Sequence, residues 1–98
     1  MPGYVIAMLD VLDPVAYERY KAAALPTIAA AGGRHLARGG ERALEGSHDG
    51  RRVVILEFPS VEAARAWYQD RAYVEARKLR ASCAGNVTFL VLPGVGAQ

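Results

Sequence analysis

The sequence predicts an α+β chain, a ferredoxin-like βαββαβ sandwich in which a four-stranded antiparallel sheet carries its helices on one face. Three observations predict it. Apolar strand-like runs alternate with two capped helical segments in that order. One half of the chain lies on the other at a shift of 47 positions, Asp10 falling on Glu57, Asp13 on Ser60 and Tyr20 on Trp67. The strands are apolar on both faces, whereas the helices suffice to cover only one.

Each element has its own signal. In Tyr4 to Val11 the side chains alternate, Val5, Ala7, Leu9 and Val11 on one face and Tyr4, Ile6, Met8 and Asp10 on the other. Asp13 followed by Pro14 starts a helix, because Asp accepts from the free amides and Pro tolerates the first turn. That helix is expected to run from Pro14 to about Ala31 with Tyr17, Tyr20, Ala24 and Ile28 on one stripe, to bend or break at Pro26, and to stop at Gly32 and Gly33. Arg34 to Arg38 and Arg42 to Glu45 then read as one strand with a bulge at Gly39 and Gly40, and Gly46 to Gly50 as the turn into the strong strand Val53 to Phe58. Ser60, with Glu62 in the first turn, caps a second helix through about Gln69. Asp70 looks like a fresh cap for a shorter helix ending near Gly85, and Val87 to Leu92 is the last strand. In this fold the first and third strands are central, and they carry Asp10 and Glu57.

The two-faced strands need a second cover, and another copy of the chain can supply it, so a homodimer formed through Ile6, Met8, Val53 and Ile55 is expected. With 98 residues the chain makes a single domain, residues 1–98, and a net charge of +2 from interspersed charges gives no footprint for nucleic acid or anionic lipid. The single cysteine, Cys83, has no internal disulfide partner. No basic-then-apolar leader and no long apolar run is present, which points to the cytoplasm and to no membrane partner.

Further along the same chain, Asp13-Pro14 with Tyr17 and Tyr20, Gly32-Gly33-Arg34, Arg38-Gly39-Gly40, Leu44-Glu45-Gly46, Glu57-Phe58-Pro59-Ser60 and Trp67-Tyr68 with Tyr73, Arg77 and Arg80 follow one another in order. Together they resemble the domain of unknown function 1330 family of the dimeric α/β-barrel superfamily, over Tyr4 to Gly94. The resemblance implies a ferredoxin-like monomer and a dimer whose two sheets close into a barrel. Relatives in that superfamily include cofactor-free monooxygenases, muconolactone isomerase and plain binding proteins, so the resemblance implies a fold and leaves the chemistry open. Asn86 departs from the pattern, in which an acidic residue often follows the glycine.

Glu57 and Arg38 are the candidate catalytic residues. Arg38, beside the bulge, is placed to pair with Glu57 across the hairpin, either as a plain ion pair at the barrel rim or as an anion clamp beside a general base acting on a small carboxylate or enolate. Asp10, a further candidate for ligand binding, lies on the same face but toward the other end of the sheet. Tyr20, Trp67 and Tyr68, together with Tyr17 and Tyr73, form an aromatic set at helical spacing. Such a set is either core or the wall of a ligand pocket between helices and sheet. His35 and His48 have no metal-ligand spacing, Cys83 has the surroundings of an inert thiol, and Gly39-Gly40 lacks a phosphate-loop pattern, so no metal, haem or nucleotide cofactor is expected. Two functions remain open: a small-molecule-binding protein or cofactor-independent enzyme of monooxygenase or isomerase type, and an assembly module whose sheet face serves only dimerisation.

Overall fold

In the computed structural model, which describes residues 1–39 and 42–95, seven elements follow one another: β1 (Gly3–Val11), α1 (Pro14–Ala30), β2 (Arg34–Gly39), β3 (Arg52–Phe58), α2 (Val61–Gln69), α3 (Arg71–Ala81) and β4 (Ala84–Pro93). All strand pairs are antiparallel and the order is β2-β3-β1-β4, which puts β1 and β3 at the centre as expected. This is the ferredoxin-like βαββαβ arrangement, its second helical segment divided in two.

The caps explain where the helices lie. Asp13 accepts from the Ala16 amide at 3.1 Å, and Ser60, 47 positions later, accepts from the Ala63 amide at 3.0 Å. Asp70 ends α2 and caps α3 by accepting from the Ala72 amide. At the end of α1, Gly32 takes φ +80°, its amide donates to the Ala29 carbonyl and the Gly33 amide to that of Ile28, a Schellman closure. Gly33 is also required for contact, since a Cβ there would lie 2.5 Å from the Phe58 ring. Of the bend or break expected at Pro26, the break does not occur. Helix α1 continues to Ala30, with Tyr20, Ala24 and Ile28 buried on either side of the proline and the Thr27 hydroxyl donating to the Ala24 carbonyl at 2.6 Å. That burial offsets the lost amide bond.

Val5, Ala7 and Leu9 of β1 and Leu56 and Phe58 of β3 meet the helices, and with Tyr17, Tyr20, Trp67 and Tyr73 they make the core. Among the described residues no helix covers the opposite face; Arg51 reaches onto its Met8 end, donating to Thr88 Oγ1 at 2.9 Å. Register lays Leu90, Ile6, Ile55 and Ala37 in a row across all four strands, with Met8 and Val53 beside them. Leu90 is 48% exposed there and Leu92 41%.

Two expectations about the second hairpin are corrected. Arg42 to Glu45 is not a strand: β2 ends with Gly39 opposite Val53, and β3 begins at Arg52, so no partner remains for residues 42–45. The bulge is at Leu36, where the pairing passes from His35↔Leu56 to Ala37↔Ile55, and not at Gly39; Gly40 lies outside the described residues. In β4 a second irregularity falls between the Met8↔Thr88 and Asp10↔Gly85 pairs. Asn86 sits in it with φ 51°, a conformation Asn tolerates better than most residues. Its place is therefore accounted for by backbone geometry.

Candidate functional site

Polar side chains are held on both faces of the sheet. On the uncovered face Glu57 stands opposite Tyr4 on β1 and opposite Arg34 on β2. Its Oε1 accepts from Arg34 Nε at 2.9 Å and its Oε2 from the Tyr4 hydroxyl at 3.1 Å. Arg34, 71% exposed, is thus the partner of Glu57, and Arg38 is not. The extra residue at Leu36 reverses the alternation of β2, so that Arg38 comes opposite Val54 and turns to the helix side of the sheet. Asp10 is six residues from Tyr4 along β1, about 20 Å at strand rise, and shares no site with Glu57.

The hydrogen bond from Arg34, and then that from Tyr4, hold the Glu57 carboxyl below the usual carboxylate range, and the same bond to Glu57 raises the Tyr4 hydroxyl. A folded-state pKa below the unfolded one means that this interaction contributes stability above the ordinary carboxylate range. The contribution is lost as the pH falls through the lowered value. We expect Arg34→Gln to bring the Glu57 titration up toward the ordinary range and Tyr4→Phe to do so by less. Carboxyl NMR titration of the two variants checks this, and an unmoved Glu57 in Arg34→Gln would refute it.

On the helix side a cavity of about 220 Å³ opens between α1 and the sheet. Tyr17 and Tyr20 of α1, Trp67 of α2 and Phe89 of β4 supply rings; His35, Arg38 and Arg52 from the sheet and Lys21 and Glu18 from α1 supply the polar groups. The rings are also structural. Trp67 lies 4.1 Å from Tyr73 and 5.1 Å from Phe58 between ring centroids, and its Nε1 donates to Thr27 Oγ1 at 3.1 Å. Tyr20 and Tyr73 share a hydroxyl–hydroxyl bond of 2.7 Å, and Arg80 Nη1 donates to the Tyr73 oxygen at 3.0 Å. Burial, first, and then its tyrosine neighbour raise the Tyr73 hydroxyl far above its ordinary value. Core and pocket wall, alternatives in the sequence, are in Tyr20 and Trp67 the same residues. Tyr68 is elsewhere, in a shallower groove between α2 and β4 with Arg77 over its ring at 4.1 Å.

Burial and then the charges of Arg38, Arg52 and Lys21 lower the pKa of His35, which keeps its imidazole neutral near pH 7. Cys83 is fully buried, its thiol donating to the Leu79 carbonyl, and burial pushes that thiol up. Among the described residues no three His, Cys, Asp or Glu side chains gather as metal ligands, and no helix is long and apolar enough to cross a membrane.

Sequence reasoning offered Tyr20 and Trp67, with Tyr17 in the same aromatic set, as a pocket wall but gave Arg38 to Glu57, and it did not name Arg52, His35 or Lys21 as lining residues. Arg52 had a legible signal. It shares strand parity with Val54, Leu56 and Phe58, and a charged residue in an inward row is out of place in a plain core.

A ferredoxin-like domain with one uncovered apolar face and a ring-walled cavity beneath its first helix defines the class of this protein. The chain belongs to the family described as domain of unknown function (DUF1330), whose model matches residues 2–95. Among solved structures, it is similar to a protein of unknown function from Rhodopseudomonas palustris at 24% identity and a TM-score of 0.78, covering 98% of this chain and 84% of that one. SnoaB, a cofactor-independent oxygenase from Streptomyces nogalater, is similar at 13% identity and a TM-score of 0.70, covering 98% and 95%. A dimeric ferredoxin-like protein of unknown function from Thermobifida fusca is similar at 16% identity and a TM-score of 0.67, covering 95% and 91%. A comparison with curated proteins finds no match.

Proposed function

We propose that this protein is a homodimeric small-molecule-binding domain, of the kind that can serve as a cofactor-independent enzyme, and that its ligand occupies the cavity between α1 and the sheet. The observation that carries the reading is the cavity itself, with ring walls from Tyr17, Tyr20 and Trp67 and polar groups from His35 and Arg38 converging on one space. Its volume of about 220 Å³ suits a molecule smaller than a typical drug. The fold shared with a cofactor-independent oxygenase supports the reading, since it shows that such a scaffold can carry chemistry without a prosthetic group. In this reading Arg38 keeps its role as a ligand contact. Glu57, on the opposite face, does not act with it within one chain, and neutral His35 is the cavity's proton acceptor.

The assembly-module reading draws on the uncovered face, yet the two are compatible, because dimerisation through Ile6 and Ile55 leaves the helix–sheet cavity free. A thermal-shift screen of small carboxylates, phenols and lactones separates them. A ligand present at 100 times its dissociation constant should add about 2.7 kcal/mol. A dimer that no compound stabilises would leave only the assembly function.

A further inference from the structure

We propose that the cavity is selective for small organic carboxylates, the carboxylate held by Arg52 with Arg38 beside it and the organic frame laid against Tyr20 and Trp67. This rests on the small-molecule reading above and narrows it to one chemical class.

Strand geometry places the two arginines. Arg52 stands opposite Leu9, in the row of β3 that buries Leu56 and Phe58, and the residue it matches 47 positions earlier is the buried Val5. A guanidinium thus occupies a position whose counterpart in the other half of the chain is a plain core residue. Arg38 comes to the same side through the bulge at Leu36 and faces Val54, two residues from Arg52, so the two are diagonal neighbours on one face.

Their charges are not balanced within the cavity. Among the described residues neither arginine forms a salt bridge, and Arg52 Nε is buried without a hydrogen-bond partner. The Arg52 guanidinium lies 5.8 Å from the Tyr17 ring and acts on the Tyr17 hydroxyl through its charge and a hydrogen bond, a neutral partner that supplies no anion. Among the described residues one carboxylate lines the cavity, Glu18, which is engaged by Lys21 at 3.0 Å and is 69% exposed. Among the described lining residues Lys21 takes that carboxylate, which leaves Arg38 and Arg52 without one. Arg52 is half-buried with its Nε out of reach of water, while Arg38 is exposed; an oxyanion offsets the partial desolvation of Arg52, and a planar carboxylate matches its fork of donors. Burial lowers the pKa of His35 most, and the charges of Arg38, Arg52 and Lys21 lower it further.

Trp67, the only tryptophan in the chain, lines the cavity, so its fluorescence reads occupancy directly. The parent protein is titrated with benzoate, phenylacetate and cyclohexanecarboxylate and with the amide of each, which keeps the shape and removes the charge. At least one acid should saturate and bind at least tenfold more tightly than its amide. The His35 NMR titration should move to higher pH when that acid is bound. Arg52→Met should abolish the preference and Arg52→Lys should retain part of it. Because the acid–amide comparison is made on the parent, it stands even if Arg52→Met fails to fold. Equal binding of an acid and its amide overturns the carboxylate inference and leaves the small-molecule reading in place. A Trp67 signal that none of the six compounds moves overturns the inference; if the wider thermal-shift screen is also blank, the small-molecule reading falls with it. A folded Arg52→Met that keeps the tenfold preference overturns the role of Arg52.

Discussion

Ile55→Lys is expected to convert a dimer into a monomer. Ile55 stands at the middle of the uncovered face, opposite Ile6 on one side and Ala37 on the other, and the row continues to Leu90 on the far strand. If a second copy covers this face, the substitution places an ammonium at the centre of an apolar contact. It also loses the transfer of an isoleucine from water, about 1.5–3 kcal/mol for each copy. Two such losses meet at a two-fold interface, because the same residue is contributed by both chains. Light scattering should give twice the chain mass for the parent and the single mass for the variant. In an isolated chain the site is only half-buried, so the monomer itself should keep its helical circular dichroism. A parent that is monomeric at micromolar concentration would remove the dimer from the proposal, and a variant that stays dimeric would place the interface elsewhere.

Trp67→Ala should cost about 3–5 kcal/mol, a large share of the 5–15 kcal/mol that holds a domain of this size together. The indole is 3% exposed, packs between Phe58 and Tyr73, and ties α2 to α1 through Thr27. Its removal enlarges a cavity that is already present and leaves the Thr27 hydroxyl with its bond to the Ala24 carbonyl alone. The melting temperature should fall by more than about 10 °C. Trp67→Phe, which keeps a ring and loses the Nε1 donor, should fall by much less. Thermal melts followed by circular dichroism make the comparison, and a loss below about 1 kcal/mol for Trp67→Ala would make the indole a pocket wall and not a core residue.

Much of the candidate site depended on knowing which face of the sheet a residue joins. The aromatic contribution could be read from the chain, because Tyr17, Tyr20 and Trp67 recur at helical spacing behind caps that fix where each helix begins. Arg52 is legible as well, from its parity with Val54 and Leu56. Arg38 is not. Leu36 has no turn chemistry, unlike the glycines at 39 and 40, and nothing local marks it as the residue that β3 leaves unpaired.

By itself, then, the sequence determined the features that short-range physics controls. These were the alternation that makes both faces of β1 and β3 apolar, the caps at Asp13, Ser60 and Asp70, the glycine closure after α1, the order of elements, and so the ferredoxin-like fold with β1 and β3 at its centre. The tertiary structure alone decided the partner of Glu57, the face taken by Arg38, the unbroken course of α1 through Pro26 and the cavity beneath it. Each of these depends on register or packing between segments far apart in the chain. A one-residue slip there exchanges the two faces of a strand without changing any local preference.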